Sequence, residues 1–154
     1  MKSPITRQGY ENLKKEHEHL LTVKRPKIII AIEEARAHGD ISENAELDAA
    51  KEEYQFLQKK IAELEVMITT SEVMDVKNTD NESVGFACSV TLMNLDTEEE
   101  VVYQLVGPYE SDIEKGKISM SSPLGRALMG KSVGDEVNFS APGGKRTYEI
   151  IKIA

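Results

Sequence analysis

Between residues 47 and 68 the apolar positions fall at Leu47, Ala50, Tyr54, Leu57, Ile61, Leu64 and Ile68, alternately three and four apart. That spacing predicts a helix with a coiled-coil seam. Lys, Glu and Gln fill most positions between, and neither Pro nor Gly interrupts the run. An earlier stretch, about residues 6–37, carries a less regular helical stripe of Tyr10, Leu13, Leu20, Leu21, Ile28, Ile32 and Ala35. Thr6 suits its N-cap. Pro26 lies inside this pattern, where it lacks a backbone donor and crowds the preceding turn. The apolar phase shifts at the same place, so a kink is predicted. Two such helices joined by a short Gly-containing turn predict an antiparallel hairpin. Arms of roughly 30 residues would reach about 45 Å.

After about Asp75 the pattern changes. Residues 84–95, 100–106, 136–140 and 146–153 alternate or cluster β-branched and apolar side chains, which predicts strands. Turn signals separate them at residues 78–81, 94–97, 107–108 and 142–144. One short helix fits Ser122–Met129, with Ser122 as cap and Pro123 at the first helical position. The predicted class is α+β: a helical hairpin over residues 1–75, then a small antiparallel sheet with one short helix over 76–154.

Composition narrows the functions open to such a chain. Its 154 residues are 40% apolar and 30% charged, which excludes wholesale disorder. Aromatic residues make up 5%, with no Trp, so base stacking is a poor basis for function. A net charge of −8 disfavours capture of bare nucleic acid, leaving DNA contact indirect at most. Cys88 is the only cysteine, so no intrachain disulfide forms. No apolar run is long enough to span a bilayer, and the first residues carry no secretory stretch. The expectation is a cytoplasmic protein with no membrane partner.

The chemistry concentrates between the two helical patterns, in Arg36-Ala-His-Gly-Asp40-Ile-Ser-Glu43-Asn44-Ala-Glu46. Gly39 suits a helix stop, and Asp40 and Ser42 suit helix starts. Asp40 and Glu43 have two readings. They match a capping box, in which each side chain satisfies a free amide of the next helix. They also match a pair of hard oxygen ligands for a cation such as Mg²⁺, which is often held by one or two carboxylates with the remaining ligands from elsewhere. Two carboxylates can share an ion but cannot complete its site, so no cofactor is expected on the free protein.

Other candidates are weaker. Gly125-Arg-Ala-Leu-Met-Gly130-Lys131-Ser132 fits the phosphate-loop spacing, but a helix is predicted inside it and the domain has no room for a parallel nucleotide-binding sheet. His17 and His19 lie two apart on a helix and point different ways, and His38 borders the turn, so they form no ligand set. Lys24, Arg25 and Lys27 make a small basic patch that suits a solvated face.

The stretch Gly39-Asp40-Ile-Ser-Glu43-Asn44-Ala-Glu46, with Glu34-Ala-Arg36 before it and Ala49-Ala-Lys51 after, resembles the signature of bacterial Gre-family transcript-cleavage factors, GreA type. Thr6-Arg-Gln-Gly9 with Leu13, Arg25-Pro26, Ser122-Pro123-Leu-Gly-Arg126 through Gly130-Lys131, and Pro142-Gly-Gly144 extend the resemblance over the whole chain. It implies a coiled-coil hairpin followed by an FKBP-like domain. That domain docks on RNA polymerase, with Ser121, Ser122 and Pro123 as docking residues. The hairpin enters the polymerase's secondary channel. Asp40 and Glu43 at its tip help the polymerase hold a second Mg²⁺ and orient a water, supported by Arg36, Gly39, Asn44 and Glu46. The polymerase then cuts the 3′ end of backtracked nascent RNA. On this reading the chain is an elongation factor and not itself an enzyme. Position 47 is Leu where the family commonly has Tyr. The two tip acids fit cleavage stimulation better than the larger acidic cluster of inhibitory relatives, and the few basic residues fit GreA better than GreB. Competing readings are a coiled-coil adaptor, or a prolyl isomerase suggested by the FKBP-like domain, whose aromatic supply of Phe86, Tyr103, Tyr109, Phe139 and Tyr148 is thin for such a pocket.

Overall fold

The computed structural model describes residues 2–38, 44–75 and 82–154. Two compact units emerge: residues 10–70, and residues 1–9 together with 71–154.

The first unit is the hairpin. Helix α1 (Arg7–His19) runs into a π-helical turn, Leu20–Lys24, and then into α2 (Arg25–Ala37). Helix α3 (Ala45–Thr69) returns alongside. The buried residues of the first arm are Leu13, Leu20, Ile28 and Ala35. Their spacing is seven, eight, seven, so one residue too many separates Leu20 from Ile28. The π turn absorbs that residue: the Arg25 amide bonds five residues back to the Leu20 carbonyl. Pro26 follows at once in the first turn of α2. Widening the helix just before a proline eases the ring's clash with the turn behind it. The predicted kink is thus a one-residue insertion. On α3 the seam is as the spacing predicts, with Leu47, Ala50, Leu57, Ile61 and Leu64 buried and Tyr54 and Ile68 partly so.

The second unit holds two sheets. Strands β1 (Ser3–Ile5) and β2 (Ser71–Val73) pair in parallel. The larger sheet comprises β3 (Ser89–Asn94), β4 (Glu100–Val106), β5 (Lys117–Ser119), β6 (Glu136–Ala141) and β7 (Gly144–Ile153), in the order β5-β4-β3-β7-β6. All neighbours are antiparallel except β4 and β5, so the sheet is mostly antiparallel, as expected, with one parallel pair. The reversal follows from the connection after β4: residues 107–116, including a 3₁₀ turn at Ile113–Lys115, carry the chain back before β5 begins. β7 carries one extra residue opposite the Thr91/Leu92 step of β3. The core under the sheet gathers Val90, Leu92, Leu105 and Ile150 with Leu124 and Leu128 of helix α4 (Pro123–Leu128).

The strand expected from residue 84 begins only at Ser89. Val84 is buried but bonds across to the backbone of Gly130 and Lys131. Ala87 then takes a left-handed φ of 66° that breaks any extended run.

Candidate functional site at the end of the hairpin

Helix α2 ends where α3 must begin. Gly39, Asp40 and Glu43, the core of the expected tip, lie outside the described residues and fall in sequence between these two helices. The chain on both sides of them is described, and it is tied together. Asn44 is the N-cap of α3: its Oδ1 accepts the Leu47 amide at 3.0 Å. Its Nδ2 donates across the hairpin to the Ala35 carbonyl in the last turn of α2. The His38 amide reaches the same carbonyl at 3.4 Å. One side chain therefore starts the second helix and ties it to the end of the first.

Helix α3 begins at Ala45 with Asn44 as its cap, and the expected helix starts at Asp40 and Ser42 lie outside the described residues. Three cap-competent residues, Asp40, Ser42 and Asn44, stand in a short run here, and periodicity cannot choose among them. The bond to Ala35, nine positions back, fixes the choice.

The other tip-support residues are placed as follows. Arg36 is exposed in the last turn of α2, where a cation complements the negative end of the helix dipole. Glu46 is in the first turn of α3, where a carboxylate complements the positive end. Its Oε2 lies 3.4 Å from Nδ1 of His38. Both side chains are exposed, so water screens that pair and it contributes little. Sequence reasoning missed both the Asn44 bridge and this pair.

Ser121, Ser122 and Pro123 lie in the second unit, at the start of α4. Ser122 caps the helix by accepting the Gly125 amide at 3.1 Å, and its hydroxyl donates to the Ser119 carbonyl at 2.6 Å. Ser119 Oγ also holds the Ser121 amide at 3.1 Å. Ser121 and Pro123 are exposed. Ser122 and Pro123 also edge a groove of about 320 Å³ whose floor and walls include Tyr103, Ile113, Phe139 and Tyr148, with Lys117 and Arg146 supplying positive charge. Ile113 is 75% exposed. An apolar floor with a polar, basic rim suits a docking surface.

The phosphate-loop spacing does not make a phosphate loop. Gly125 is buried inside α4, packed against the Ser119 carbonyl, and the motif runs out of that helix rather than into one. Among the described residues no group of three His, Cys, Asp or Glu is placed to hold a metal ion. No described helix is long and apolar enough to cross a membrane.

Comparison with known proteins covers both units. The family model for the N-terminal part of transcription elongation factors matches residues 3–73, and that for the C-terminal part of transcription elongation factor GreA/GreB matches residues 79–154. Transcription elongation factor GreA of Chelativorans sp. (strain BNC1) is 50% identical over 152 residues, which are 99% of this chain and 97% of that protein. GreA of Syntrophus aciditrophicus (strain SB) is 51% identical over 152 residues, 99% of this chain and 94% of that one. Among solved structures, GreA factor homolog 1 (Gfh1) of Thermus thermophilus aligns over 100% of this chain and 99% of its own, with 27% identity and a TM-score of 0.46.

Proposed function

The chain belongs to the GreA/GreB family of transcription elongation factors, and on that premise we propose that it rescues arrested RNA polymerase by delivering the carboxylates of Asp40 and Glu43 to the polymerase's active centre. The family assignment displaces the adaptor and prolyl-isomerase readings. The observation that carries the proposal is the Asn44 clasp. It caps α3 directly after Glu43 and bonds the Ala35 carbonyl in the last turn of α2, so the described residues that flank the acidic segment in sequence are tied to each other. Because Asn44 supplies the cap, the account does not ask Asp40 to be cap and ligand at once.

The donor set suits Mg²⁺: two hard carboxylates, the number such an ion commonly takes from protein. Asp40 and Glu43 would hold it together with ligands of the polymerase. When bound there, the ion supplies charge stabilisation for in-line attack on a phosphodiester. The chain's own part is to bring negative charge down an arm in which α3 alone, at 25 residues, spans about 37 Å. Arg36 and Glu46 sit at complementary helix ends and keep those ends from fraying. The second unit docks on the polymerase through Ser121, Ser122 and Pro123 beside the apolar groove. The backtracked 3′ RNA is met only at the tip, in keeping with a net charge of −8 that does not favour RNA by itself.

On this reading the protein is an accessory factor, and the catalyst is the polymerase. The test pairs two reactions in Mg²⁺. Added to backtracked elongation complexes, the protein releases short 3′ RNA fragments. Incubated with the same RNA and no polymerase, it releases none. Cleavage of free RNA would make the chain itself the nuclease, and no cleavage in either reaction would remove the proposal.

A further inference from the structure

Glu110 lies 104 residues beyond Thr6, yet its carboxylate is committed to the first turn of α1. Oε2 accepts the Thr6 amide at 2.7 Å and the Gly107 amide at 3.2 Å. Oε1 accepts the Thr6 hydroxyl at 2.5 Å. That hydroxyl in turn accepts the Gly9 amide at 3.0 Å, which caps α1. The chain of donors has one direction: Gly9 amide to Thr6 hydroxyl to Glu110 carboxylate. Only an acceptor with two free oxygens ends it correctly, and an ionised carboxylate is that group. Bonds of this charge-assisted kind are the strong ones.

The surroundings are shaped around the same contact. A Cβ on Gly9 would collide with Oε1 of Glu110, and one on Gly107 would collide with the Pro4 carbonyl. Gly107 therefore permits a close backbone approach that a larger residue forbids, and a larger residue at Gly9 would have to displace the Glu110 carboxylate. Ile5, beside Thr6, is fully buried. Nearby, Arg7 and Asp75 also pair at 3.0 Å, but each is 63% exposed and the pair adds little. The carboxylate accepts three hydrogen bonds, two of them from Thr6 at the start of this turn. Helix α1 continues unbroken from Arg7 to His19.

We propose that Glu110 is a positioning residue: it seats the first turn of α1, the turn from which the helix of the first arm continues. The inference rests on the proposed function for its effect on cleavage, but not for the seating itself.

Two measurements test it. In the free protein, hydrogen exchange of the Thr6 and Gly9 amides is followed in Glu110→Ala against wild type. They should exchange about tenfold faster or more, while the amides of Leu92 and Ile150 stay unchanged. With backtracked elongation complexes, cleavage is titrated against factor concentration. Glu110→Ala should lower the rate at saturation by about tenfold and leave the half-saturating concentration alone. Glu110→Gln, which keeps one acceptor oxygen, should recover part of both effects. Wild-type exchange at Thr6 and Gly9 overturns the seating. A higher half-saturating concentration with full rate at saturation overturns the positioning role and makes Glu110 a docking residue. If Glu110→Ala loses its cooperative thermal transition, Thr6→Val removes the hydroxyl from the other side and must show the same pattern; a wild-type pattern there overturns the proposal. If even the wild-type protein stimulates no cleavage, the functional reading has failed, and the exchange measurement alone decides the seating.

Discussion

Replacing Asn44 with Ala removes two bonds at once. The first is the cap to the Leu47 amide at 3.0 Å, and losing a cap of this type costs about 1 kcal/mol. The second is the bond from Nδ2 to the Ala35 carbonyl, worth about another 1 kcal/mol. The sum, roughly 2 kcal/mol, is about a 30-fold increase in the population of the frayed end. Little of it should appear as a change in global stability, because the end of a two-helix hairpin opens by itself. The assay is therefore amide exchange read residue by residue over 44–50, with Leu64 as an internal reference. Leu47, which is 2% exposed and donates to the cap, should respond most. Asn44→Asp separates the two bonds. It keeps an acceptor for Leu47 but has no donor for Ala35, so its exchange should rise only about 5-fold. Wild-type exchange at Leu47 in Asn44→Ala would refute the clasp. Equal effects of Asn44→Ala and Asn44→Asp would refute the division between cap and bridge. In the cleavage reaction the order wild type, Asn44→Asp, Asn44→Ala should repeat, because the tip acids immediately precede this residue.

Further expectations concern the second unit. Leu92 is fully buried between β4 and β7, and Leu92→Ala should cost about 3 kcal/mol, read from the urea midpoint with the slope unchanged. A loss below 1 kcal/mol would mean the core collapses around the gap. Glu98 closes the β3–β4 turn at a left-handed φ of 61°. There Asn94 Oδ1 already organises the chain by accepting the Asp96 and Thr97 amides. Glu98→Gly should therefore stabilise the domain by about 0.5–1 kcal/mol, seen as a higher thermal midpoint. A lower midpoint would show that the Glu98 side chain has a partner that outweighs the strain.

The hairpin was legible because its signal is repeated. Seven seam positions on α3 point the same way, and the buried residues follow them. The first arm was half legible. Pro26 and the phase shift announced an irregularity, but a stripe read by eye did not reveal that it amounts to one surplus residue between Leu20 and Ile28. The sheet was legible where strands are long, as at residues 100–106 and 136–141. β1, β2 and β5 have three residues each, too few for an alternation to stand out. Their pairing depends on edges supplied by distant parts of the chain. The parallel β4–β5 contact escaped for the same reason. At the tip the acidic motif was legible, but Asn44 as the cap of α3 was not, because a local cap rule cannot see Ala35 across the hairpin. Glu110 carried no local signal at all; its partner is Thr6, and only the fold brings them together.

On the proposed function, Asp40 and Glu43 act inside another molecule's active site. The decisive measurement is RNA cleavage in backtracked polymerase complexes, in Mg²⁺, with wild type, Asp40→Asn and Glu43→Gln at saturating concentration. These substitutions keep shape and remove charge. Each should lower the cleavage rate by roughly 100-fold, while competition with wild-type factor shows polymerase binding intact. Full-rate cleavage by both variants would contradict the proposed function.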